Sequence, residues 1–115
     1  MSLEQNGWDE ALLSELRSMG RVEERDPFGL VVYLDKGEGM PVVEVLMTPD
    51  DWSDMLAIHG WDSARLAQMV GQNVKETSTR RLFCHNYVLE QWDEVAYREW
   101  VTQNPGVEQR RAAER

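Results

Sequence analysis

Trp8, Leu12, Leu16 and Met19 recur three or four residues apart, which is the spacing of one helical face, with Leu13 on its edge. The pattern predicts a helix over about 8–19, with Asn6 as N-cap and Gly20 as its C-terminal stop. The period then changes. RVEER and LVVYLD flank Asp26-Pro27-Phe28-Gly29, whose Asp, Pro and Gly stand where a type I turn wants them. LVVYLD is apolar almost throughout and predicts a central strand covered on both sides. After Lys36-Gly37-Glu38-Gly39-Met40-Pro41, the run VVEVLMT restores the β-branched enrichment around Glu44. A three-stranded meander over about 21–47 is the reading.

Thr48-Pro49-Asp50-Asp51 is the clearest helix start, with a hydroxyl to cap, Pro at the first helical position and Asp in the capping-box place. That helix runs to about His59 and stops at Gly60. The next starts after Asp62, with Leu66, Met69 and Val70 as its apolar stripe. NVKET and RRLFCH then read as two strands of a hairpin turning at Ser78-Thr79. A last helix is expected over about 87–103, because Val88, Leu89, Trp92, Val95, Ala96 and Trp100 fall within an arc of about 140°. Asn104-Pro105-Gly106 ends it, and 104–115 reads as a mobile tail with too little apolar surface to be held by packing.

The resulting order is αβββααββα, an α+β domain over 1–103 in which helices cover one face of a mainly antiparallel sheet. This order, in a small acidic chain, resembles the general arrangement of the class I secretion chaperones; element order carries the likeness, and no sequence motif does. The chain also resembles itself. GWDEALLSEL at 7 and GWDSARLAQM at 60 share Gly, Trp, Asp and Ala in register. One residue of slip sets Val22 and Glu24 over Val74 and Glu76, and Leu30-Val31-Val32 over Leu82-Phe83-Cys84. Two readings stay open, a structural pseudo-repeat and a recurring helix-start pattern.

Charge changes the picture most. The 115 residues carry 21 acids against 12 bases, a formal charge of −9. Residues 80–115 hold equal numbers of each sign, so the whole excess lies in the first 79. Between Lys36 and Arg65 stand Glu38, Glu44, Asp50, Asp51, Asp54 and Asp62 with no Lys or Arg, acids expected to repel one another without internal pairing. Such a surface disfavours direct nucleic-acid contact, which depends on Lys and Arg neutralising phosphate. It favours a basic or amphipathic protein partner.

No apolar stretch reaches the length of a membrane span. The start MSLEQNGWDE has neither the charged nor the apolar region of a secretory signal, so the expected location is the cytoplasm. One cysteine, Cys84, excludes an intramolecular disulfide framework and zinc sites built from cysteine pairs.

Candidate chemistry is sparse. A nucleophilic Cys84 would need a base, and His85, its neighbour on a strand, points to the opposite face, which leaves His59. Cys84 in the run LFC reads as a small buried hydrophobe. His59 lies on the apolar face of its helix in the last turn. Asp50 and Asp54, at i and i+4, raise a magnesium site, against the plainer reading that Asp50 and Asp51 complement the helix dipole. Neither a metal nor another cofactor is expected. Glu99 either reaches solvent or pairs with Arg80 or Arg81. Four of the five tryptophans lie on apolar faces, whereas Trp61 follows Gly60 among carboxylates, either as a binding hot spot or as a hydrophobic staple before Asp62.

Three functions are weighed. The first is a non-enzymatic interaction domain (adaptor, chaperone or regulator) binding through Asp50, Asp51, Asp54, Trp61 and Asp62, with a homodimer as one possible assembly. The second is an inhibitor or immunity-type protein whose acidic face mimics nucleic acid. The third is a small enzyme using Cys84 or the Asp50 and Asp54 pair.

Overall fold

A computed structural model describes residues 3–25, 28–35 and 41–103. A 3-10 turn at Glu4–Asn6 leads to α1 (Glu10–Arg17), β1 (Gly20–Glu24), β2 (Leu30–Leu34), β3 (Val42–Leu46), α2 (Pro49–His59), α3 (Ser63–Glu76), β4 (Arg81–His85), β5 (Val88–Trp92) and α4 (Glu94–Gln103). The α+β class and the order αβββααββα are as expected. The sheet order is β1-β2-β3-β4-β5, antiparallel throughout except for β3 against β4. That one parallel pair follows from the crossover through α2 and α3. The meander of β1, β2 and β3 is present, with its loop at Lys36–Met40 and Asp26-Pro27 outside the described residues. The expected tail, 104–115, lies outside them too.

The first helix is capped by Asp9 and not by Asn6. Asp9 Oδ1 accepts the Ala11 amide at 2.8 Å, while the Asn6 amide donates to Glu24 Oε2 at 2.6 Å. Gly20 opens β1 and does not end α1. A Cβ there would lie 1.9 Å from the Tyr33 carbonyl oxygen, so close strand contact requires glycine. For α2 the expectation holds in full. Thr48 Oγ1 accepts the Asp51 amide, Asp51 Oδ2 accepts the Thr48 amide, and Pro49 occupies the first turn.

The second hairpin is displaced along the chain. NVKET belongs to α3, because Leu66, Val70 and Val74 extend one buried stripe at intervals of four. The strands are instead RLFCH and VLEQW, joined by Asn86 and Tyr87 with φ of 51° and 64°. Positive φ at both central residues marks a type I′ connection, which normally carries Asn-Gly. Tyr at the second place hid the turn, and Val88, Leu89 and Trp92 passed for a helical face. On the strand they divide. Leu89 packs on the main core and Trp92 on the opposite side of the sheet.

Strand alternation sorts the interior into two cores. Val32, Val43, Val45 and Leu82 face Leu12, Leu13, Leu16, Trp52, Met55, Leu66, Val70 and Val74, so α1, α2 and α3 share one face. Leu46 and Phe83 point the other way and meet Tyr97, with Phe28, Trp92, Trp100 and Val101 around them. Helix α4 is thus the exception to the expected one-face cover. Both GWD segments use one construction: a left-handed Gly (Gly7, φ 95°; Gly60, φ 66°), a Trp, then an Asp that caps the next helix. Each helix is then followed by two strands, and Leu30-Val31-Val32 and Leu82-Phe83-Cys84 are strand in both, but the residue-by-residue match fails between them. Val74 and Glu76 are helical, and β1 lies at the sheet edge whereas β4 is interior.

Glu44 departs most from expectation. It is buried on the α4 side of β3, with Arg25 Nε donating to its Oε1 at 2.5 Å. The parallel register sets Arg81 beside it. Arg81 Nε lies 2.8 Å from Oε2 but off the hydrogen-bonding direction, so the contact is Coulombic, and Arg80 stands at 3.6 Å. Arg25 also donates to the Tyr97 hydroxyl at 2.9 Å, and the Arg81 guanidinium lies 4.0 Å from the Tyr97 ring centre. Glu44 is therefore internally paired, with bases that the chain places far from it in sequence. Glu44→Gln should cost about 3 kcal/mol, because the buried Arg25 guanidinium loses the Glu44 charge and Arg81 keeps only the exposed Glu94. The midpoint of a urea melt measures it.

Asp9 joins the three helices of the main core. Its Oδ2 accepts from Trp52 Nε1 at 3.1 Å and from Ser63 Oγ at 2.9 Å. Burial pushes its acidity down, but the donors from Ala11, Ser63, Trp52 and Leu12 outweigh this and hold its pKa below the ordinary 3.8. A depressed pKa means stability present above the unfolded value and lost as pH falls through the folded one. Asp9→Asn should therefore destabilise the protein at neutral pH, and the gap to the unaltered chain should narrow below about pH 4. Thermal melts across pH 2.5–7 test this.

Candidate functional site

The exposed face of α2 carries Asp50, Ser53, Asp54, Ala57 and Ile58, at spacings of three and one, while Trp52 and Met55 are buried behind it. Asp50, Asp54 and Ile58 form one row at i, i+4 and i+8. Asp50 and Asp54 make no ion pair among the described residues. Asp51 is committed to the capping box, and Asp62 caps α3 by accepting the Arg65 amide at 2.8 Å. Of the six acids between Lys36 and Arg65, Glu44 is buried, Glu38 lies outside the described residues, Asp50 faces solvent in the first turn of α2, where it complements the helix dipole, and Asp54 faces solvent.

Trp61 is half-buried against the main core at the C-terminal end of this face. Its ring stacks on His59 with centroids 4.9 Å apart, and the Arg65 guanidinium lies 4.4 Å from its centre. The expected ring of carboxylates is replaced by an imidazole and a guanidinium, because α3 returns Arg65 over the indole one turn after Trp61. His59 Nε2 reaches the Tyr87 carbonyl at 2.9 Å, tying the end of α2 to the β4–β5 turn.

That bond reveals two residues the sequence reading missed. Ile58 is 61% exposed and Tyr87 43%, two of the four large apolar side chains most open to solvent among the described residues. Ile58 stands off its helix's apolar stripe, a signal present in the sequence. Tyr87 needed the structure, since its exposure comes from a left-handed turn. A bulky residue at φ 64° costs stability that Gly would not.

Cys84 is half-buried against the main core, and its thiol is pushed up to about 11 by burial first and by the Asp51 and Asp54 charges on α2 next. His85 points away, with Nδ1 3.5 Å from Glu90, and His59 is engaged with Tyr87. No imidazole is in place to take the thiol proton. Asp50 and Asp54 gather no third ligand, and among the described residues no group of three or more His, Cys, Asp or Glu could hold a metal ion. Glu99 is exposed, and the arginines offered to it pair elsewhere: Arg81 with Glu44 and Glu94, Arg80 with Glu44. It lines a shallow 330 Å³ groove on α4 with Val95, Arg98, Thr102 and Gln103, which mixes both charge signs. No helix among the described residues is long and apolar enough to cross a membrane.

Ellman's reagent should modify Cys84 slowly in the folded protein at pH 8 and rapidly in denaturant, since almost no thiolate exists three units below a pKa of about 11. Fast stoichiometric labelling of the native chain is the opposing result. No family model matches this chain, and neither a curated protein nor a solved structure does, so the likeness to the class I secretion chaperones is one of element order alone.

Proposed function

We propose that the chain is a small non-enzymatic interaction domain of the cytosol that binds a basic or amphipathic protein partner through the outer face of α2. One observation carries this reading. Asp50 and Asp54 share an exposed helical face with Ile58, α2 itself carries no Lys or Arg, and among the described residues neither carboxylate has an ion-pair or hydrogen-bond partner. Natural surfaces scatter single apolar residues, and what favours recognition here is the row of two unpaired carboxylates beside Ile58, which a basic partner would complement. Trp61 and Tyr87 extend its apolar end. A lone cysteine kept as a protonated thiol suits a reducing compartment. The enzyme reading lacks an activated group, and for the nucleic-acid mimic the acid-only stretch is thinned, since Glu44 is buried and Asp51 is held in a cap.

The test separates charge from fold because Asp50 and Asp54, unlike Asp51, hold no cap. With a partner recovered by pull-down, the Asp50→Asn/Asp54→Asn chain should associate several-fold more slowly at about 50 mM salt and lose most of its rate difference between about 50 and 300 mM. Trp61→Ala should chiefly speed dissociation. Surface plasmon resonance reads both, and unchanged kinetics in both variants would remove this face from the binding site.

A further inference from the structure

The α2 face has a direction, and this narrows the partner. Its carboxylates stand at the N-terminal end and its apolar residues at the other, with Ser53 and Ala57 between them. At 1.5 Å per residue, Asp54 lies about 6 Å and Asp50 about 12 Å along the axis from Ile58. Residues 50, 53, 54, 57 and 58 are the spacing by which one helix presents a ridge to another. The two small side chains in the middle allow a neighbouring backbone to come close. Backbone amides in α2 are already spent within the helix, so an added strand finds no donors on this face.

We infer that this face receives an amphipathic helix of a basic partner, resting on the reading above: an apolar residue of that helix packs on Ile58 and Tyr87, and Lys or Arg one and two turns along meet Asp54 and Asp50. A second copy of this chain is the poorer occupant. Two such faces opposed would bring four carboxylates together, and α2 itself supplies no Lys or Arg to offset them. An anionic lipid surface or a nucleic acid is repelled by the same charges. The His59 bond to the Tyr87 carbonyl ties the β4–β5 turn to the helix end one residue after Ile58, so the end of α2 is held in place before a partner arrives.

The probe is an alanine-based helical peptide of about 18 residues carrying Leu, Lys and Lys at successive intervals of four, labelled for fluorescence anisotropy. Its control has the same composition with the lysines moved to the face opposite Leu. The full chain should bind the first peptide at least about tenfold more tightly than the control. Ile58→Ser and Tyr87→Gly should each weaken binding about tenfold. Neither endangers the fold, since Ile58 is exposed and Gly suits the left-handed turn. Asp50→Asn/Asp54→Asn should leave the affinity almost independent of salt. Equal binding of both peptides, or no binding of either, overturns the inference. Salt-dependent binding untouched by Ile58→Ser and Tyr87→Gly would overturn it while leaving the broader acidic-face reading standing. Failure of that reading shows separately, in unaltered kinetics with the recovered partner.

Discussion

A carboxylate on the central strand decides how the far side of the sheet is used. Glu44 projects from β3 into a region that would otherwise hold only apolar contacts, and it brings Arg25 from the end of β1 and Arg81 from β4 around itself. These guanidinium groups in turn position α4. One donates to the Tyr97 hydroxyl, the other lies over the Tyr97 ring and binds Glu94 at the start of the helix. The Arg81 hydrogen bond, with help from Arg98, holds the Glu94 carboxyl below its usual range. Removing the charge at the centre would leave Arg25 without the Glu44 carboxylate in a poorly hydrated site, so the cluster, once formed, cannot be dismantled cheaply.

The other face depends on a different acid. Asp9 caps α1 and accepts from α2 and α3, so one side chain sets the relative placement of three helix starts. Helices α1 and α3 approach closely at Gly71, where a Cβ would meet the Glu15 side chain of α1 at 2.7 Å. This rigid layer is what presents the α2 face outward. Trp52 and Met55 lock the inner side of α2, leaving Asp50, Asp54 and Ile58 with no rotation by which to hide.

Local signals in the sequence were readable where chemistry and position coincide. Thr48, Pro49 and Asp51 specify a helix start by contacts within four residues, and the structure shows each of them. Positions that depend on distant partners were not readable in this way. Glu44 looked like one more surface acid because Arg25 and Arg81 meet it only through sheet register. VLEQW looked helical because its two apolar faces serve different cores. Gly20 resembled a helix stop, yet its reason is the Tyr33 carbonyl across the strand pair. Among the candidate site residues, Asp50 and Asp54 were identifiable from spacing, Trp61 from its exceptional neighbours and Ile58 from its place off the apolar stripe of α2, whereas Tyr87 emerged only with the left-handed turn of the second hairpin.

The division of the interior into two cores has a consequence for how the molecule opens. The larger core ties α1, α2 and α3 to the three inner strands, whereas α4 is held by a small aromatic group and the arginine cluster around Glu44. Elements with few buried apolar contacts open at lower free energy than the whole fold. Amides of α4 should accordingly exchange with solvent through a subglobal opening that leaves the other helices protected. In that open form Phe83, Trp92 and the Glu44 cluster would be bared while the α2 surface stayed intact, so the chain would exist as two cooperative units carried on one sheet.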